Sequence, residues 1–577
     1  MDENETISPE PNTSSAPETP AAGPPKTSFD IVPPAGSTTT TVTPTVVTPT
    51  PTEPTAASTP PVTAVAKVSP SPHHSKAKSL VITLIMLAIV GTGLFLVYHY
   101  GQTKSTPATT VKKDVALVRV GSPEPLPVSF YPNVDDSTLP EDVDSQAFEG
   151  LTSFHTPTQV GPQLALSWTN PDSSTWIFKL HPNVKFHTGR TMTATDVKAS
   201  LDDIQNFKLG PEYGSTIKAV SVVDPLTVKI TTDGADPILP NELANLFIYD
   251  TTSKTINNPI NGTGPYTLKP GSSTKTTIDM VAFDGYYGGR PYVRELIFNS
   301  FANGDVAVAA INTNKVDVAS VLTKAGADKV TNSNYNTLAI PTPTVAHLVP
   351  NTLNGGPLSK LAVRQAIMQA IDVSSLLKAR GIVGTPATQI VAPSIPGYDP
   401  SLTRPTYDVA AAKQALTAAG YPNGFSFTFT YYTGAQDLAT ELTRQLALIG
   451  VTVKQDPQTS FDTLGAKVFG GLTDMYYNSL ATSVVDATDY FSPILSNTKT
   501  YNNPAISKVF TEASQTLDPT KRLTLLKQVS DMLVADRADL PLYVVGDIYF
   551  EVPKNLVVNH TDPAGEFGIH YGQAYGQ

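Results

Sequence analysis

Nine histidines are spread through this 577-residue chain, and their spacing decides what metal or acid–base chemistry they can support. None lies in HExxH or a comparable pair with ligand spacing, the pattern that sets two imidazoles on one helix face. His73 and His74 are adjacent inside a proline-rich stretch, where metal binding is not expected. His181 and His187, in LHPNVKFHTG, flank a strand and a turn and read as structural hydrogen-bonders rather than ligands. No GxSxG elbow offers a nucleophile, and no GxxxxGK[ST] loop offers a phosphate cradle. Gly262-Thr-Gly264-Pro265 lacks the third glycine of a dinucleotide loop, so turn formation accounts for it. With no cysteine, disulfide scaffolds, thiolate metal sites and a lipid-modified cysteine are all excluded. A net charge of −11, without a dense basic run interleaved with aromatics, argues against a nucleic-acid surface. No cofactor is implied. The inventory fits a binder better than an enzyme, because a chain this long shows no recognisable reactive constellation.

The elements that would position a binding site begin near Ala116. ALVRV (116–120), WIFKL (176–180), LTVKI (226–230) and FSFTFT (425–430) have the alternation or apolar density of strands. Thr193-Ala-Thr-Asp196 resembles a capping box ahead of DVKASLDDI. Asp408 is placed to cap a helix from about Val409 to Ala419, with Gly420 at its stop. Leu438, Leu442, Leu446 and Ile449 share one helical face before Gly450, and VTVKQ then reads as a strand. Asp518-Pro519 introduces a helix carrying Leu523, Leu526, Val529 and Leu533, closed near Leu540-Pro541. Strands and helices mixed in this way predict layered α/β domains.

Ahead of them, residues 1–78 hold 16 of the 51 prolines and show neither strand nor helix periodicity, so a disordered Pro/Thr-rich tail is expected. Leu80 to Tyr98 has no charge, and at about 1.5 Å per residue it nearly matches a hydrocarbon core of roughly 30 Å. It is too long and too far from the first methionine for a signal peptide, so residues 79–99 are expected to form an uncleaved transmembrane anchor. Lys76 and Lys78 abut it on one side, which predicts the tail in the cytoplasm and the large domain outside the cell. Residues 100–115 read as a linker.

The run FEGLTSFHTPTQVGPQLALSWTNPDSSTWIFKLHPNVKFHTGRTMTATDVKASL (148–201) resembles the family-5 extracellular solute-binding proteins of ABC importers, which include oligopeptide- and dipeptide-binding proteins. Phe148-Glu-Gly-Leu151 looks like that family's [YF]EGL, Leu164 to Trp168 its LAxSW, and Val184 to Gly189 its VKFHDG. NPINGTGPYTL (258–268), AFDGYYGGRPYVRELIF (282–298), VRQAIMQAID (363–372), LALIGVTV (446–453), YNNPAISKVFTEA (501–513) and DLPLY (539–543) follow in the family's order. The resemblance implies a large, type II, three-domain periplasmic-binding-protein-like fold with two lobes and a hinge. Lobe one would comprise 116–150, 258–345 and 530–577, an inserted domain 151–257, and lobe two 346–529. The chain would cross between lobes near Ala346 and again near Leu526 to Val534.

The same resemblance places the ligand contacts. Leu480 to Ser496 aligns with a family stretch of the form W-x-A-D-Y-x-[DE]-P, whose aspartate holds a peptide's α-ammonium group in the oligopeptide binders. Ser483 stands at that aspartate, Leu480 at the tryptophan and Val484 at the tyrosine, while Asp486 occupies the later acidic position. A hydroxyl is a weaker partner for a buried ammonium than a carboxylate. Asp486 is then the substitute acid, and Tyr476, Tyr477, Tyr431 and Tyr432 are candidates for stacking or hydroxyl hydrogen bonds. The function implied is non-enzymatic capture of a peptide and its delivery to ABC permease subunits in the same membrane, by a monomer tethered there. Another small solute, such as an oligosaccharide or a metal chelate, is the alternative ligand, and a sensory or adhesive surface receptor the alternative role.

Overall fold

Strands form here where β-branched and aromatic residues alternate, and helices where a side-chain cap precedes an apolar stripe. The computed structural model describes residues 112–577, apart from 124–125, 127–137, 157–158, 208–215, 254–260, 272–273, 275, 322, 483 and 560–568. The tail, the expected anchor at 79–99 and Ser483 therefore lie outside the described residues. Among the described residues no helix is long and apolar enough to cross a membrane.

Three sheets carry the architecture. The first has seven strands in the order 335–340, 548–553, 318–320, 118–122, 295–300, 277–282 and 266–268. Its central strand Val118–Ser122 runs parallel to both neighbours, so the chain must leave and return before it can pair there. A four-stranded antiparallel sheet, ordered 165–172, 175–180, 227–232 and 217–224, lies within the expected inserted domain. Phe178, Phe186 and Trp176 fill its core beside the helix Ala194–Phe207. The third sheet has six strands, ordered 384–386, 540–545, 345–350, 475–480, 425–432 and 451–458.

Local signals explain most of the helices of this last lobe. Asp408 accepts from the amide of Ala411 and starts Val409–Ala418, and Asp518 does the same for Pro519–Asp536 through Lys521. Leu438, Leu442 and Leu446 turn one face of Gln436–Ala447 into the core, and Gly450, at φ +81°, ends that excursion. Thr193 and Asp196 form half of the expected box: the Asp196 carboxylate accepts from both the amide and the hydroxyl of Thr193, so the hydroxyl donates back to the acid. In Pro519–Asp536 the buried apolar set is Leu525, Leu526, Val529, Leu533 and Val534, whereas Leu523 is exposed, and Arg537 in left-handed backbone closes the helix.

The second crossing between lobes differs from the expectation. Helix Pro519–Asp536 packs Leu526, Val529 and Leu533 against Val345, Ile390 and Phe491, and the next strand, Leu540–Val545, pairs with Val345–Pro350 in the six-stranded sheet. Only after Val545 can the chain return, because Ile548–Pro553 already pairs with Tyr335–Ile340 in the seven-stranded sheet. The crossings are therefore residues 341–344 and 546–547, not Leu526 to Val534. The linker also ends sooner than residue 115: Lys113 bridges Gly576, and the Val115 amide donates to the Tyr292 carbonyl.

Candidate functional site

Strand Met475–Leu480 is flanked by Val345–Pro350 and Phe425–Tyr432, and its alternation sends neighbouring tyrosines to opposite faces. Tyr476 is buried against Val349 and Val468. Tyr477 is half-buried, its hydroxyl 3.4 Å from that of Tyr543. Leu480 packs on the cluster of Val345, Ala387 and Val485. The loop that follows turns Val484 and Val485 inward, and both are buried. The Val484 carbonyl accepts a 2.7 Å hydrogen bond from Asn241 Nδ2, which belongs to the inserted domain.

Asp486 is fully engaged. It caps helix Ala487–Leu495 by accepting from the Thr488 amide at 2.9 Å and from the Thr488 hydroxyl at 2.7 Å. It also receives both guanidinium arms of Arg522, at 2.5 and 2.8 Å. This buried bidentate pair already neutralises the Asp486 charge and ties it to the helix cap, which gives the carboxylate a structural role in place of the substitute role expected of it. Tyr431 is likewise a core residue: its hydroxyl lies 2.8 Å from Gln436 Oε1 and 3.0 Å from Gln455 Oε1. Tyr432 is half-buried and stacks on the ring of Phe461, centroids 4.4 Å apart, itself 71% exposed. Of the expected contacts, Leu480, Val484 and Asp486 come together at the face of lobe two that meets the inserted domain. Tyr476, Tyr477, Tyr431 and Tyr432 serve the lobe-two sheet.

A second polar centre was visible in the sequence only as the FEGL motif. Glu149 is buried, and a buried carboxylate without partners is costly. Four donors converge on it: Tyr286 and Tyr287 hydroxyls at 2.9 and 3.0 Å, the Thr263 hydroxyl at 2.8 Å and, more distantly, the Gln163 amide at 3.5 Å. Burial outweighs these and pushes the carboxyl up to about 7. Burial also raises both phenols. His187 donates from Nε2 to the Gly264 carbonyl at 3.0 Å, and burial lowers its imidazole to about 4 despite that bond. Gly262 and Gly264 owe their identity to close approach rather than to a turn. A Cβ on Gly262 would meet the Ala147 carbonyl at 1.9 Å, and neither glycine has positive φ. Beside this centre lies a cavity of about 680 Å³, lined by Glu149, Phe154, His155, Tyr286, Tyr287 and His570 among others, between the inserted domain and lobe one. None of the residues expected to contact ligand lines it.

Two α/β lobes joined by a pair of short crossings, with a third domain inserted into the first, define a periplasmic-binding-protein fold. The chain belongs to the bacterial extracellular solute-binding proteins, family 5, whose middle-region model matches residues 159–502. It is 28% identical over 474 residues to the glutathione-binding protein GsiB of Escherichia coli K12, covering 77% of this chain and 91% of that one. Among solved structures it resembles the ABC transporter-associated periplasmic binding protein DppA from Helicobacter pylori in complex with peptide STSA. There the TM-score is 0.66 at 20% identity, over 80% of this chain and 98% of DppA. It also resembles AgaA from A. tumefaciens R10 in complex with agropinic acid, with a TM-score of 0.66 at 24% identity, over 80% and 99%. Such likenesses carry the fold.

Proposed function

We propose that this protein captures a peptide between its two lobes outside the cell and delivers it to ABC permease subunits, held in the same membrane by a helix at Leu80 to Tyr98. The observation that supports the reading is the pair of crossings at 341–344 and 546–547, two short connections of the kind hinge closure needs, with the inserted domain facing Val484 of lobe two. Contacts made only in the closed form shift the population toward it, and a permease can distinguish that shape. The reading also draws on the relatives: GsiB is named for glutathione and DppA was solved with a tetrapeptide. Tethering raises the effective concentration of a monomeric receptor beside its permease. The binding role is non-enzymatic. Native mass spectrometry of the full chain, purified without refolding, followed by calorimetric titration with glutathione and peptides of two to nine residues, tests it. A retained peptide mass or a saturable heat is expected, and no response to any peptide removes the peptide clause.

A second reading keeps the fold and exchanges the peptide for another small solute. Its support is Ser483, where the resemblance puts the ammonium-binding aspartate, together with the agropinic acid held by AgaA. The same mass measurement separates the two.

A further inference from the structure

We propose that Asn241 is a positioning residue that latches the segment Val484–Asp486 in a strained conformation, so that the segment has a held and a released state. The link between this latch and ligand occupancy rests on the solute-capture reading; the latch itself does not.

The strain is located at Val485. Its φ is +56°, in the left-handed region, where a β-branched side chain crowds its own backbone. The other non-glycine residues with positive φ among the described residues are Asn183, Asn314 and Arg537. Asparagine tolerates that region, and Arg537 closes a helix through bonds to the Leu533 and Val534 carbonyls. Val485 has neither excuse, so its surroundings must hold it there.

Lobe two supplies the restraint on one side. Asp486 is locked by Thr488 and Arg522, and the Thr482 hydroxyl accepts from the Asp486 amide at 3.3 Å while donating to Asp489 at 2.7 Å. The remaining restraint comes from across the seam. Asn241 Nδ2 donates to the Val484 carbonyl, the peptide oxygen immediately before the strained residue. Asn241 is itself fixed, since it lies in Leu239–Glu242 with its amide bonded to the Ile238 carbonyl at 2.8 Å. The seam is closed around it: Phe154 of the inserted domain packs on the lobe-two cluster containing Val485, and Leu517 of lobe two packs on the inserted-domain core. Asp236, beside the same short helix, feels the charge of Arg522.

Any separation of lobe two from the inserted domain breaks the Asn241 bond. Without it, Val485 can fall into an extended conformation, which turns the adjoining peptide groups and re-aims Val484, one of the positions the resemblance gives to ligand contact. Releasing strain then accompanies opening, and closure must restore it.

The test is a double-mutant cycle on the ligand-free full chain, read by amide hydrogen exchange over residues 480–490. Asn241→Ala is expected to speed exchange there by about five- to tenfold, the loss of one net hydrogen bond. Val485→Gly, which removes the crowding, is expected to leave exchange near the parent level. In the Val485→Gly background Asn241→Ala should then have an effect less than half as large. Asn241→Asp, which keeps the shape and loses the donor, repeats the first arm should the alanine variant misfold. An unchanged loop in both Asn241 variants, or equal acceleration with and without Val485, overturns the latch. Because no ligand is added, either outcome is independent of whether peptides bind. Loss of peptide titration with the exchange cycle intact would instead overturn the capture reading alone.

Discussion

Replacing Glu149 by Gln should remove a pH dependence of stability that this one carboxyl imposes. The residue is 1% exposed, and burial raises it from an ordinary 4.5 to about 7 against the pull of four donors. That difference corresponds to roughly 3 kcal/mol. Between these values the folded chain holds a proton that the unfolded chain has lost, so stability falls as pH rises from 4.5 through about 7 and is level above it. Glutamine imitates the protonated side chain at every pH, apart from one acceptor exchanged for a donor. The advantage of the native protein over Glu149→Gln should therefore shrink by about 3 kcal/mol between pH 5 and pH 8. Urea unfolding followed by tryptophan fluorescence is the suitable assay, because both tryptophans, Trp168 and Trp176, lie in the inserted domain that abuts Glu149. Parallel stability curves for the two proteins across this range would refute the reasoning, and would mean that the Tyr286, Tyr287 and Thr263 donors keep the carboxyl ionised.

His187 has the opposite sign. Its imidazole is lowered from 6.5 to about 4, so its contribution is lost as pH falls through that window, and His187→Gln in the Glu149→Gln background should flatten the remaining acid limb of the same urea assay. Asp486→Asn leaves the buried Arg522 charge without its partner and should cost about 3–5 kcal/mol, with much of the loss recovered when Arg522→Met is added, read as urea midpoints. Gly262→Ala drives a methyl to 1.9 Å from the Ala147 carbonyl, so thermal unfolding should show a loss of about 2 kcal/mol or more despite an ordinary φ.

Features decided by near neighbours along the chain are legible in the amino-acid sequence itself. Asp408 and Asp518 cap their helices because a cap acts over three residues, and Gly420 and Gly450 end theirs because a left-handed position is a local demand. The second crossing is not legible in this way. The apolar side of Pro519–Asp536 announces burial without saying in which lobe, and that is settled by its contacts with Val345 and Phe491. Asp486 looks available in the sequence because Arg522, 36 residues away, gives no hint there that it will claim the carboxylate. The strain at Val485 is hidden for the opposite reason, since a β-branched residue is not expected in left-handed backbone. Glu149 stands in plain view within FEGL, yet its donors arrive from position 163 of the inserted domain and from 263, 286 and 287, where the chain has returned to lobe one.

The two crossings are not independent strings, and this bears on how the lobes could move. The Val545 amide donates to the Thr344 carbonyl at 2.9 Å, and the Thr342 hydroxyl lies 3.3 Å from the carbonyls of both Val545 and Gly546. The strands they join are neighbours on both sides: 335–340 beside 548–553 in lobe one, and 345–350 beside 540–545 in lobe two. The connection is thus one hydrogen-bonded ribbon entering and leaving two sheets, which resists splaying but allows twist or bending along its length. A rotation that preserves the bond between Thr344 and Val545 must spend its displacement elsewhere, farther from the ribbon. Asn241 and Val484 face each other across the seam between the inserted domain and lobe two, so a single side-chain amide there can report their separation.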